Sequence, residues 1–150
     1  MKLADEHYAA KRYKDAILNY RSALQKNTSS GDAHYKLGRT FLDDGQIVEA
    51  FVTLNRAAEL LPKHEDTRVK LGEIALAGLV TDPSRPQAFY DKLNKMADEL
   101  LAIKPDHHQG LRFKGHLAQL DNKPSAEVLD LFRRANASKP MQGEVLVPLI

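Results

Sequence analysis

The 150-residue sequence predicts an all-α chain of antiparallel helix pairs stacked as a solenoid. Residues of one size class recur every 34 positions: Leu3, Leu37 and Leu71, and beside them Ala4, Gly38 and Gly72. Further columns at that offset pair Ala16 with Ala50, Ala23 with Ala57, Tyr20 with Leu54 and Tyr13 with Ile47. Apolar residues keep helical spacing, and no run alternates with the period of two that marks a half-buried strand. Composition permits such a fold, since 43% hydrophobic and 28% charged residues can bury a core.

The elements follow in order. Leu3 and Ala4 belong well inside a first helix, so about four residues of it are expected upstream of Met1. Tyr13 to Leu24 places apolar residues at 13, 16, 17, 20, 23 and 24, one helical face. Thr28 to Gly31 breaks the chain. His34 to Leu42 and Val48 to Leu61 repeat the stripe on either side of Asp43-Asp44-Gly45, and Pro62 closes that pair. A fifth helix is expected over about 66–79, followed by a break at Thr81 to Pro86 with Asp82 and Ser84 as cap candidates. A sixth runs from Gln87 to about Lys104. Pro62 and Pro105 are 43 residues apart against the period of 34, so an insertion of nine residues is placed near 81–86. The seventh and eighth helices, 106–120 and 125–137, flank a break at Asp121 to Pro124. Val128, Phe132 and Ala135 fill the core columns of the eighth, and Pro140 closes it. The repeats of this single array are therefore 1–30, 31–64, 65–105 and 106–140, with a partial fifth at 141–150. The apolar tail Val145 to Ile150 reads as a first helix without its second. That implies a fragment of a longer array and weak self-association through this end.

Several function classes fall away. Lys and Arg total 22 and Asp and Glu 20, a net charge of +2 that gives no footprint for nucleic acid. Without cysteine there is no disulfide scaffold, thiolate zinc site, iron–sulfur cluster or thiol nucleophile. No apolar run approaches the ~20 residues of a membrane span, and Lys2 followed by Asp5 and Glu6 does not read as a secretory signal. The histidines at 7, 34, 64, 107, 108 and 116 lack metal-ligand spacing, although His108 and His116 could share a face; they read as surface or half-buried. With no G-x-S-x-G and no phosphate loop, no enzymatic activity, cofactor or metal is expected.

The second repeat reads His34-x-x-Leu37-Gly38-x-x-Phe41, then Gly45-x-Ile47, Ala50, Leu54, Ala57 and Pro62. It resembles the tetratricopeptide repeat, whose period is 34 residues, with only the opening aromatic replaced, by His34. The first repeat matches through Leu3, Tyr13, Ala16, Tyr20, Ala23 and Leu24. The third begins with Leu71-Gly72 and then departs. The run from Gly31 to Gly38 with Ala50 to Leu61 is similar to bacterial members of the cell envelope, an intracellular scaffold being the alternative.

The resemblance implies a non-catalytic scaffold whose first helices line a concave face that binds a protein or peptide. The alternative is a regulatory or docking module cut from a larger, enzymatic or export-related protein. Three columns would face the groove: Met1, Tyr35, Val69 and Arg112; Asp5, Arg39, Glu73 and His116; Tyr8, Leu42 and Leu76. Chaperone-docking members clamp a terminal carboxylate with Lys and Asn in the first two columns, and those residue types are missing here. The partner-binding candidates are Tyr8, Tyr35, Arg39, Asp43, Glu73 and Arg112, since aromatics and Arg make good anchors. These side chains could instead pack between neighbouring first helices. Arg39 and Glu73 are expected to be exposed, Tyr8 fits either role, and Asp43-Asp44 is expected to cap and solvate its turn.

Overall fold

A computed structural model of the chain describes residues 1–139. The partial fifth repeat and the self-associating tail expected at 141–150 lie outside the described residues. Eight helices and no strand are present among the described residues: α1 Lys2–Ala9, α2 Tyr13–Lys26, α3 Gly31–Asp43, α4 Ile47–Leu60, α5 Glu65–Thr81, α6 Gln87–Ile103, α7 His108–Leu120 and α8 Ser125–Ser138. The helices pair as α1·α2, α3·α4, α5·α6 and α7·α8. Each pair packs on the next in chain order, and α5 also meets α7.

The recurring small residues set the helix crossings. A Cβ on Gly38 would stand 2.7 Å from Leu54 Cγ, and one on Gly115 2.8 Å from Phe132 Cε1. At Gly72 the edge of the Phe113 ring occupies the space instead, so this glycine admits α7 rather than its own partner helix. Gly115 extends the Ala4, Gly38, Gly72 column once the 43-residue interval replaces 34. Around these crossings Ala16, Tyr20, Ala50, Leu54 and Leu71 are buried with Met96 in one core. Leu79, Leu93, Ala97, Leu100 and Phe113 form a second.

Helix ends are fixed locally. Ser30 caps α3 by accepting from the Ala33 N–H at 3.1 Å, which starts that helix at Gly31 inside the expected break. His64 Nδ1 accepts from the Thr67 N–H, and His107 Nδ1 from the Gln109 and Gly110 N–H groups. Positions 30, 64 and 107 thus form one capping column, and His107 moves the start of α7 to His108. At the opposite end, Gly45 adopts φ +80° and the Gln46 N–H reaches the Phe41 carbonyl, a Schellman stop. Lys11 and Asn122 take the same left-handed turn, at φ 60° and 55°.

The insertion expected near 81–86 is mostly helical. Relative to the second pair, α5 is longer by four residues, 17 against 13, and α6 by three, 17 against 14. Only two of the nine lengthen the loop. Asp82 there accepts from the backbone and hydroxyl of Ser84. These two close the loop on itself and do not cap α6, which begins after Pro86 without a side-chain cap.

Candidate interaction site

First helices α1, α3, α5 and α7 bring the six candidate residues into two connected groups. In the first, the Arg39 guanidinium lies 3.8 Å from the Tyr8 ring centroid and 5.6 Å from that of Tyr35. The Tyr8 hydroxyl donates to the Asp43 carboxylate, and the Tyr35 hydroxyl to Asp66. A chain Asp43–Tyr8–Arg39–Tyr35–Asp66 therefore crosses three consecutive first helices. In the second group Arg112 of α7 pairs with Glu73 of α5, while its Nε–H donates to Gln109 at 2.8 Å.

Arg39 departs from the exposure expected of it. It is half-buried between the two tyrosines, and its Nε finds no hydrogen-bond acceptor among the described residues. Exposure does hold for Glu73, at 45% of its side chain. Asp43 is exposed yet reaches across to α1 rather than serving only its own turn; Asp44 is the C-cap that follows α3 and accepts from Gln46.

The electrostatics follow from this arrangement. Burial, then the bond to Asp43, pushes the Tyr8 hydroxyl up to about 12. Burial and the bonds to Asp5 and Asp66 raise Tyr20 and Tyr35 in the same way, against the pull of the Arg39 charge. Burial works against ionising Asp5, but the hydroxyl of Tyr20 at 2.5 Å and Lys36 at 3.2 Å hold it below the ordinary carboxylate range. Asp66 is also burdened by burial and is held low by Tyr35 and Lys70. At the far end, burial and the Arg112 charge lower His116.

Sequence reading did not single out Arg68, which is 3% exposed. Its guanidinium donates to the carbonyls of Ala58, Leu61 and His64 and, through Nε, to Glu99 at 3.2 Å. Arg68 falls 34 residues after His34, in the column where the repeat carries its opening aromatic. His34 acts in kind by reaching the Thr28 carbonyl at 3.0 Å. A charged residue in a column expected to be apolar was the available signal. No group of three or more His, Asp or Glu side chains suited to a metal occurs among the described residues, and no described helix is long and apolar enough to cross a membrane.

Paired helices of this length, small residues at each crossing and a side-chain ladder along the first helices define a helical-repeat solenoid. Residues 7–70 match the family model described as tetratricopeptide repeat. The structure of MamA protein is similar over 100% of this chain and 76% of its own, at 20% identity and a TM-score of 0.73. YrrB, described as a TPR protein with an unusual peptide-binding site, matches 89% of this chain and 64% of its own, at 19% identity and 0.70. TTC0263, a thermophilic TPR protein of Thermus thermophilus, matches 91% and 71%, at 20% and 0.66. At these identities the likeness is one of fold. Comparison with curated proteins gives no match. Tetratricopeptide proteins are generally non-catalytic scaffolds for protein interaction.

Proposed function

We propose that this chain is a non-catalytic scaffold that binds a peptide or partner protein on its concave face, through Tyr8, Tyr35, Arg39, Asp43, Glu73 and Arg112. The observation that carries the reading is Arg39, stacked between two tyrosine rings with a buried Nε–H left without an acceptor. A guanidinium held this way loses little side-chain freedom on meeting a carbonyl or carboxylate, which lowers the cost of binding. Its planar fork suits such acceptors better than a lysine would. The peptide-binding site named for YrrB, a protein of the same fold, supports the class of ligand.

Site-specific photo-crosslinking in cells tests it. A photoreactive residue replacing Val69, in the column of Tyr35 and Arg112, should yield adducts with a defined peptide or protein. The same residue replacing Val52, 65% exposed on α4, should not. Arg39→Lys should reduce the Val69 adducts while the fold is retained. Equal yields from both positions would overturn the reading.

A further inference from the structure

The helix starts that share one column of the array are capped by different chemistry. At position 30 a serine hydroxyl accepts from the Ala33 N–H at 3.1 Å. At positions 64 and 107 the cap is a histidine. His64 Nδ1 accepts from the Thr67 N–H at 3.3 Å and meets the Thr67 hydroxyl at 2.7 Å. His107 Nδ1 accepts from the N–H groups of Gln109 at 3.2 Å and Gly110 at 3.3 Å, while Nε2 donates to Glu65 at 2.7 Å. A backbone N–H can only donate, so Nδ1 must keep its lone pair in both rings. The proton of each neutral ring then sits on Nε2, and at His107 that proton is the one Glu65 accepts.

An imidazole takes a second proton at about pH 6.5, and in these rings only Nδ1 is left to receive it. The protonated ring is a donor at both nitrogens and accepts nothing. At His107 it would set N–H against N–H, at the positive end of α7. At His64 the new N–H can turn to the Thr67 hydroxyl, but the Thr67 backbone N–H is still released. Ser30 has no second protonation state in this range.

The groups facing each ring set the sign. His107 is 5% exposed. Glu65 of α5 favours a charge on it, but that bond already exists in the neutral ring and the carboxylate is 53% exposed. Asp106 precedes the ring in the chain. The His108 ring stacks on it at 5.4 Å, and burial, then the charges of His107, Lys139, Arg112 and Lys104, lowers His108. The same cations, from α7 itself, the end of α6 and the end of α8, oppose a charge on His107. His64 is flanked in the chain by Lys63 and Glu65. Its ring meets Tyr35 of α3 at 4.6 Å, its charge is coupled to Asp66, and Arg68 donates to its carbonyl.

We propose that His64 and His107 make the second half of the array acid-sensitive. As pH falls through the histidine range their caps open, and the first turns of α5 and α7 loosen, while α3 is held by Ser30. Glu65 and Asp66 begin α5, so opening also frees the Asp66 end of the Tyr8–Arg39–Tyr35 ladder and the tie from α5 to α7. The unfolded chain takes up these protons freely, whereas the folded chain gives up its caps to do so. Stability is therefore full above about pH 7 and falls toward about pH 5.5. The device does not depend on what the concave face binds.

A heteronuclear NMR titration of the full 150-residue chain from about pH 7.5 to 5.5 tests this. At the upper end the ring nitrogens of both histidines should read as bare Nδ1 and protonated Nε2. On acidification the amide signals of Gln109 and Gly110 should move with the His107 ring and that of Thr67 with His64, while Ala33 stays in place. The melting temperature should fall by several degrees over the interval. A variant with His64→Asn and His107→Asn has caps that do not titrate and should lose less than half as much; the remaining histidines are common to both proteins, so their titration cancels. Glu65→Gln keeps an acceptor for Nε2–H without the charge and should deepen the acid loss. Neutral rings protonated at Nδ1, unmoved Gln109 and Gly110 amides, or a parent that melts no lower at the acid end would overturn the proposal. So would equal acid loss in the parent and the double variant. Should that variant not fold, the Ala33 comparison and the Glu65→Gln melts decide.

Discussion

At Gly72 the absence of one carbon lets α5 meet α7, since the Phe113 ring edge occupies the space a Cβ would need. Phe113 is fully buried and cannot swing aside cheaply. Gly72→Ala should therefore destabilise by about 1–3 kcal/mol, even though alanine is favoured over glycine within a helix by about 1 kcal/mol. A melting temperature at or above that of the parent would show that α5 and α7 do not approach this closely. Arg68 is the converse case, a buried charge that satisfies three carbonyls at the α4–α5 junction and one carboxylate of α6. Arg68→Met keeps the apolar stem and strands those acceptors together with Glu99. It should cost about 3–5 kcal/mol in denaturant unfolding, and Arg68→Lys should recover only part because one ammonium cannot span the same fork. A loss below about 1 kcal/mol would place the guanidinium in water instead, where pairs contribute that little.

Helix limits were legible where a residue speaks for itself and hidden where the signal is shared. Pro62, Gly45 and Pro86 each mark a boundary within a residue or two of the observed one. The capping histidines carried no such mark, because His64 and His107 become N-caps only when Nδ1 faces the free N–H groups of the next turn. The insertion was legible as a length, 43 residues against 34, but not as a place. A helix that gains a turn of about 3.6 residues keeps its apolar face in phase, so periodicity could not show that α5 and α6 had absorbed seven of the nine. The candidate residues were legible as columns on first helices; the hydroxyl–carboxylate bonds that tie them together depend on helix-to-helix distances that spacing does not encode. Turn chemistry yields its own test. Lys11 holds the left-handed position that Gly45 fills in the second pair, with the Arg12 N–H bonded to the His7 carbonyl as in a Schellman stop. Lys11→Gly should raise stability by about 0.5–1 kcal/mol, and an unchanged or lower melting temperature would count against that turn.

Across the molecule, tyrosine–aspartate bonds join each pair to the next: Tyr8 with Asp43, Tyr35 with Asp66, and Tyr90 with Asp121 at 2.7 Å. Within the first pair Tyr20 adds a bond to Asp5. Because a stacked array is stabilised by nearest-neighbour interfaces, these bonds make the pairing of repeats sensitive to alkaline pH. The sign follows from the shifts. Each hydroxyl releases its proton near 10 when unfolded and at higher pH when folded, to about 12 for Tyr8, with burial the largest cause at Tyr8, Tyr20 and Tyr35. At Tyr90 the bond to Asp121 comes first. Between those limits the folded chain binds more protons than the unfolded one, so stability is full below pH 10 and falls as pH rises toward 12. Lysine deprotonation weakens ion pairs over the same interval, so the parent alone cannot isolate the effect. The comparison is with a Tyr8→Phe, Tyr20→Phe, Tyr35→Phe variant, which keeps the rings that pack against Arg39 and lacks the ionisable hydroxyls. Circular dichroism melts from pH 9 upward should show the parent losing several degrees more than this variant, while the variant starts lower at neutral pH because Asp5, Asp43 and Asp66 have lost their tyrosine donors. Parallel declines of the two proteins would mean that the hydroxyls do not hold the repeats together.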